Sequence, residues 1–210
     1  ILCFNVESAP ELERLNAGNV YLLGGYGAVS VEVESQLNAL LPGFVWRLGG
    51  ADRYATSASI AKRTISILGA QYDGRVCVTT GANYPDAVGG APLAAGMGWP
   101  ILLVNPTATT MTLPTATNGA AILGGTTVVS DALETFLEGK FGDPAVDRLG
   151  GADRYATSAL VAQYGVDNGM VWDGVGIATG TNFPDALAGG VALGLHRSVL
   201  LLTPGTALHA

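Results

Sequence analysis

Apolar residues fall along this chain in two alternating spacings. Short continuous runs read as strands buried on both faces: VYLLGG at 20–25, FVWRLGG at 44–50, RVCVTTG at 75–81, ILLVN at 101–105, AAILGG at 120–125, VDRLGG at 146–151, VGIATG at 175–180 and SVLLLTP at 198–204. ILCFN at 1–5 reads as another. Between them, apolar positions recur every three or four residues. Ala58, Ala61, Ile65 and Leu68 form one stripe with Lys62, Arg63 and Ser66 off it, so 51–68 reads as a helix that Gly69 stops. In 29–41, Val33, Leu37, Leu40 and Leu41 share a side, and Ser30 is placed to cap it. Segments 84–98, 129–139, 152–165 and 184–194 also read as helices, the first of them rich in glycine. Buried strands alternating with helices give an α/β fold: two tandem Rossmann-like or flavodoxin-like units whose parallel sheets are covered by helices on both faces, with right-handed crossovers.

The chain is also internally duplicated. RLGGADRYATSAS at 47–59 returns at 148–160 as RLGGADRYATSAL, identical at twelve of thirteen positions, too many for a shared short motif alone. TGANYPDAVGGAPLAAG at 80–96 returns as TGTNFPDALAGGVALG at 179–194, and LLGG at 22–25 as ILGG at 122–125. A register kept along the chain means repeated architecture. The first structural unit is expected over 1–98. The second is expected over 99–210, its last strand opening a truncated third unit. A chain of two copies carries its sites twice, so residues present in only one copy are poor candidates for the shared function.

Composition narrows the choice. Hydrophobic residues make up 49 % of the 210, enough for two cores at a common domain size. Charged residues are 13 %, against the ~25 % of ordinary soluble proteins. With 30 glycines, this points to close contacts between small residues. Net charge is −7 and the isoelectric point near 4.6, which excludes a nucleic-acid binder working through a general basic face while leaving room for a local cationic pocket. There is no apolar run of the ~20 residues a membrane span needs. The chain opens inside a strand-like segment without a visible leader and reads as a cut or processed fragment.

Cys3 and Cys77 lack CxxC or metal spacing and read as buried small hydrophobes, or as a disulfide if their strands meet. Neither recurs in the other copy, and neither do His196 and His209. No Ser-His-Asp set, HExxH, metal cluster, GxGxxG or GxxxxGK[ST] can be assembled, so no catalytic residue, cofactor or metal is assigned.

The duplicated polar residues sit after strand ends, where open α/β sheets bind ligands. Gly49, Gly50, Gly150 and Gly151 either offer backbone N–H groups to a phosphate, carboxylate or sugar, or serve tight turns and close packing. Arg47, Arg53, Arg148 and Arg154 are four of the ten basic residues. They either grip an anion with their planar forks or pair with Asp52, Asp86, Asp153 and Asp185. Asp52 and Asp153 stand where a helix cap is favourable. Asn83 to Asp86 and Asn182 to Asp185 are either capping devices with proline in the first turn, or polyol-binding groups with the ring of Tyr84 or Phe183 as an apolar face. Tyr54 and Tyr155 read as buried with satisfied hydroxyls.

RLGGADRYATS followed by TG-x-N-[FY]-P-D-A, a run of small residues and ILLV resembles the type 2 cell-wall-binding repeat of Gram-positive surface proteins, over essentially the whole chain. By that family's boundaries the chain holds a partial repeat at 1–46, a full one at 47–147 and a partial one at 148–210. The resemblance implies a secreted, non-catalytic module at the cell wall that binds an anionic polysaccharide or teichoic-acid-like polymer without a covalent bond. It implies no nucleic-acid partner and leaves open a homo-oligomer or further repeats in the parent chain. The expected ligand-binding residues are Arg47, Gly49, Gly50, Asp52, Arg53, Asn83, Asp86, Arg148, Gly150, Gly151, Asp153, Arg154, Asn182 and Asp185, with the guanidinium groups free to grip the polyanion. Two rival functions are a self-associating module of a surface layer and an envelope-glycan hydrolase using Asp86 and Asp185.

Overall fold

The structure, a computed structural model, describes residues 8–208. The strand expected at 1–5, Cys3 and His209 lie outside the described residues. The chain forms two compact units, 1–63 and 64–210. Their division falls within the third helix, whereas the repeat set it at 98/99.

The first unit contains α1 (Ser8–Arg14), β1 (Val20–Leu23), α2 (Val31–Leu40), β2 (Val45–Leu48) and the start of α3 (Arg53–Leu68). β1 and β2 are parallel, with Val20 opposite Val45 and Leu23 opposite Leu48. Ser30 caps α2 as expected, its hydroxyl accepting from the Val33 N–H. Leu37 of α2 is buried with Val20, Leu22 and Leu12. Helix α1 was not legible in the spacing, because its seven residues put a single leucine, Leu12, into that core. An Arg14–Glu11 ion pair at 2.6 Å runs along its exposed side.

The second unit holds β3 (Arg75–Thr80), α4 (Pro85–Gly89), α5 (Ala91–Met97), β4 (Ile101–Val104), β5 (Gly119–Leu123), α6 (Asp131–Phe141), β6 (Val146–Leu149), α7 (Arg154–Asp167), β7 (Val171–Thr179), α8 (Pro184–Leu195) and β8 (Ser198–Thr203). Four strands form a parallel sheet in the order β4-β3-β5-β6, and β7 and β8 form a second parallel pair. The α/β class with parallel sheets is therefore as the sequence implied. Cys77, Leu93, Ala121, Leu123, Val161 and Val199 are among the residues of the main core, and Val88, Ala178, Ala186, Leu200 and Leu202 form a smaller one.

Two elements differ from the spacing. The helix expected at 84–98 is two helices joined at Gly90, because Pro92 in the first turn of α5 has no N–H to continue the ladder of α4. β7 begins at Val171, before the expected start at 175. Its register against β8 shifts between Val171 and Gly176, where Gly174 takes a left-handed φ of +73° and lets the strand bulge.

The glycines of α8 explain the closeness of α5. A Cβ on Gly190 would lie 2.9 Å from the Cβ of Ala91, and one on Gly194 2.3 Å from that of Ala95. The two helices thus pack backbone against backbone. Gly189, one residue along the same helix, has nothing within 4 Å in that direction. Gly194→Ala should therefore cost about 1–3 kcal/mol of stability through overpacking. Gly189→Ala should add about 0.5–1 kcal/mol through helix propensity. Urea unfolding of the two variants checks both signs.

Candidate functional site

β3, β5 and β6 are parallel neighbours, so the loops that follow them lie along one edge of the sheet. These loops are Gly81 to Tyr84, Gly124 to Gly125 and Gly150 to Asp153. The loop after β7, Gly180 to Phe183, joins them. Arg154 Nη1 donates to the Gly180 carbonyl, and the Tyr84 hydroxyl donates to the Thr181 carbonyl at 2.9 Å.

Arg148 leaves β6 and turns inward, its side chain only 15 % exposed. Nε donates to Glu134 Oε2 at 2.9 Å, Nη1 to the carbonyls of Gly124 at 3.1 Å and Val129 at 2.9 Å, and Nη2 to the carbonyl of Ser130 at 3.4 Å. Asp131 adds a longer ion pair at 3.9 Å. In the first unit Arg47 does the same, 12 % exposed. Its Nε and Nη2 reach Glu34 Oε2 at 3.2 Å, Nη1 the Gly24 carbonyl at 3.0 Å, and Nη2 the Ser30 carbonyl at 3.3 Å. The ring of Tyr26 lies 4.4 Å from its guanidinium carbon. This corrects the expectation that both arginines grip a polymer: their donors tie the end of one strand to the start of the next helix. Their partners are glutamates, Glu34 and Glu134, rather than the four aspartates weighed from the sequence. Those glutamates are themselves duplicated, four residues after Ser30 and Ser130, which was the overlooked signal.

The glycines are also accounted for. A Cβ on Gly150 would lie 2.7 Å from the main-chain nitrogen of Gly125, and one on Gly49 2.7 Å from the carbonyl of Gly24. Paired turns therefore touch through bare backbone in each unit. The N–H groups of Gly50 and Gly151 donate to Thr56 Oγ1 at 3.1 Å and Thr157 Oγ1 at 3.0 Å. Asp52 Oδ1 accepts from the Ala55 N–H at 2.7 Å, and Asp153 Oδ1 from those of Tyr155 and Ala156 at 2.9 and 2.8 Å. The reading of Gly50 and Gly151 as anion-binding donors therefore gives way to packing, and Asp52 and Asp153 are helix caps that occupy the N–H groups an anion would need.

What stays at the edge of the second unit is a smaller set. The side-chain oxygens of Asn83 and Asn182 accept from the next N–H, of Tyr84 and Phe183, each at 2.9 Å, which leaves their amide NH₂ groups as outward donors on exposed residues. The Tyr84 and Phe183 rings pack at 5.4 Å between centroids. Asp86 is half-buried; burial raises its pKa, and the charge of Arg154 acts the other way. Asp185, its twin, is exposed, as is Arg53 in the first unit.

A further polar cluster has no counterpart in the other copy and belongs to the scaffold. Arg75 Nη2 pairs with Asp147 Oδ2, which also accepts from the Tyr164 hydroxyl at 2.8 Å, while the Trp99 ring lies 4.9 Å from the guanidinium carbon and donates from Nε1 to Asp73. Burial first, and then the bond to Asp147, push the Tyr164 hydroxyl upward. Cys77 is fully buried, and burial pushes its thiol up to about 12, so it packs as a hydrophobe. Among the described residues no helix is long and apolar enough to cross a membrane, and no group of three or more His, Cys, Asp or Glu could hold a metal.

Comparison with known proteins places this edge in context. The family model for cell wall binding domain 2 matches residues 47–134 and 148–210. The chain belongs to that family: it is a cell-wall-binding module, and its place is the cell surface. It is 28 % identical over 205 residues to the N-acetylmuramoyl-L-alanine amidase LytC of Bacillus subtilis (strain 168), covering 95 % of this chain and 38 % of that protein. It is 30 % identical over 192 residues to the amidase enhancer of the same organism, covering 91 % of this chain and 25 % of the other. The chain thus spans well under half of each curated relative. Among solved structures, Cwp6 from Clostridium difficile superposes with a TM-score of 0.78 at 24 % identity, covering 97 % of this chain and 32 % of that one. Cwp8 from the same organism gives 0.73 at 24 %, covering 91 % and 33 %. These two share the fold.

Arg148→Ala should cost about 2–4 kcal/mol, because it strands a partly buried carboxylate and three carbonyls. Urea unfolding measures the loss, and a cost below about 0.5 kcal/mol would place Arg148 among ordinary surface residues. Asp86 gives a pH test. Its folded-state pKa lies above the unfolded value, so the folded chain holds that proton more tightly. The ionised group therefore weakens the fold above the folded pKa, and the cost is released as pH falls through it. Asp86→Asn should raise the unfolding midpoint at pH 7, with the gain shrinking on acidification. A gain that is constant across pH would show that ionisation is not its source.

Proposed function

We propose that the second unit holds a cell-wall polysaccharide or teichoic-acid-like polymer non-covalently, along the edge formed by the loops after β3, β5, β6 and β7, and that it does so without catalysis. The observation behind this reading is the division of labour among the duplicated residues. Arg47, Arg148, Asp52 and Asp153 are engaged within the fold. Asn83, Asn182, the Tyr84–Phe183 pair and Asp86 are what remains to meet a ligand. Amide donors, a carboxylate and flat rings suit sugar hydroxyls and the apolar faces of sugar rings. Of the two motif arginines in this unit, Arg154 alone stays at the edge, so it is the group placed to meet an anionic substituent of the polymer. A binding mode led by neutral contacts is compatible with a net charge of −7, where a polyanion held mainly by guanidinium groups would meet opposing charge.

Binding through one guanidinium should depend weakly on salt. Between 0.05 and 0.5 M salt, retention on purified walls should change by less than about threefold. Arg154→Ala should lower retention while leaving the unfolding midpoint within a few degrees. Co-sedimentation with wall fragments measures both, and a steep fall with salt would return the weight to a cationic grip.

Self-association is a second reading, favoured by one observation. Leu187, Val191 and Leu195 recur every fourth residue on α8 and are 41 %, 50 % and 79 % exposed, with Ile177 of β7 exposed as well. Sedimentation velocity of the chain alone, with and without wall polymer, separates the two readings.

A further inference from the structure

We infer that copies of this chain associate head to tail by completing each other's sheets: β7 of one copy pairs in parallel with β1 of a second copy, giving the strand order β8-β7-β1-β2. This rests on the self-association reading, is independent of wall binding, and moves the contact from the α8 face to two strand edges. The four-stranded sheet supplies the template. In it β3 lies between β4 and β5, and β5 between β3 and β6. β7 and β8 repeat the β3–β4 half, because Gly176 stands opposite Leu200 as Cys77 stands opposite Ile101. β1 and β2 repeat the β5–β6 half, with Val20 opposite Val45 as Ala120 is opposite Val146. Among the described residues, β7 pairs with β8 alone and β1 with β2 alone. Each half thus presents the edge that its twin uses in the complete sheet.

Burial marks the same two edges. Val78 of β3 is fully buried, whereas Ile177, its counterpart on β7, is 60 % exposed. Leu123 of β5 is fully buried, whereas Leu23, its counterpart on β1, is 56 % exposed. In the complete sheet Val76 pairs with Ala120 and Val78 with Ile122. The same register across two copies sets Val175 beside Val20 and Ile177 beside Leu22. Paired residues of a parallel sheet share a face, so Ile177 would join Leu22 on the side where Leu37 of α2 packs. The residues flanking the joint match as well. In the complete sheet one guanidinium meets one indole, Arg75 over Trp99 at 4.9 Å. The places of Arg75, Trp99, Asp147 and Tyr164 are taken in the two halves by Gly174, Ser198, Trp46 and Arg63. Arg63 lies over Trp46, again at 4.9 Å. One cation and one indole are therefore kept, now both on the β1–β2 side, and Gly174 leaves the space that a second guanidinium would claim. The buried Nε of Arg63 makes no hydrogen bond, an unmet donor at the place where β7 of a second copy brings backbone carbonyls. A strand edge of this kind is a template for another chain, and a contact between two different surfaces joins copies head to tail.

Sedimentation velocity of the full chain at rising concentration is the test. The mass should climb from 21.3 kDa to at least twice that value. Ile177→Lys and Leu23→Lys should each weaken association at least tenfold. Both side chains are exposed in the single chain, so the unfolding midpoints should stay at the wild-type value. Each variant loses one edge and keeps the other. Mixing the two should therefore restore association, as a one-to-one pair that stops at two chains. Leu195→Lys, on the exposed face of α8, should associate within twofold of wild type. Hydrogen exchange of the unmutated chain adds a readout free of any variant: the amides of β1 and β7 should slow as concentration rises. Association unchanged by both edge variants but lost in Leu195→Lys, or a mixture that stays monomeric, would overturn the strand joint while leaving self-association through α8. A mass that stays at that of one chain would overturn the self-association reading and this inference together, with wall binding untouched.

Discussion

The guanidinium of Arg148 sets the geometry on which the second unit's loop edge depends. It reaches from β6 to the last carbonyl of the neighbouring strand's turn, to the carbonyls that open α6, and to the carboxylate of Glu134. A charge held this far from water must be paired and fully bonded, and here carbonyls and a carboxylate supply the partners. With the helix start and strand end fixed to one another, the turns at Gly124 and Gly150 can approach through backbone alone. Arg47 ties the first unit together by the same contacts, which explains why this arginine, its two glycines and its partner glutamate are all duplicated.

That constraint determines what the edge can offer a ligand. Arginines committed to the scaffold cannot act as a cationic grip, and helix starts capped by Asp52 and Asp153 cannot act as anion sites. In the function proposed here, recognition falls to amides, rings, a half-buried carboxylate and Arg154, a chemistry suited to polyhydroxylated chains. Weak contacts of this kind gain strength by repetition, since tethered sites raise the effective concentration of one another.

The parts outside the duplicated motif show how the copies diverged without losing the fold. Cys77 lies in the main core, and the Arg75–Asp147–Tyr164 cluster with Trp99 joins segments on either side of the 98/99 repeat boundary through residues that are not duplicated. The α5–α8 contact shows the opposite strategy: small residues, Gly190 against Ala91 and Gly194 against Ala95, bring two helices together by shape. The low charge and many glycines of the chain reflect this preference for close packing.

Most of the elements were legible in the spacing of apolar residues, because burial on one stripe or on both faces writes itself directly into sequence. Helix α1 was not, since one leucine carries its packing, and neither was the break at Gly90, where a proline one turn on decides the matter. The duplication itself was plain, but the ligand-gripping role it suggested for Arg47 and Arg148 gives way to contacts within the fold. The sequence alone determined which residues the two copies hold in common. Only the tertiary structure decided which way they face, because a guanidinium turns inward or outward according to whether carbonyls and carboxylates from distant segments converge on it. Glu34 and Glu134 converge on Arg47 and Arg148, and nothing in the linear order of those residues requires it.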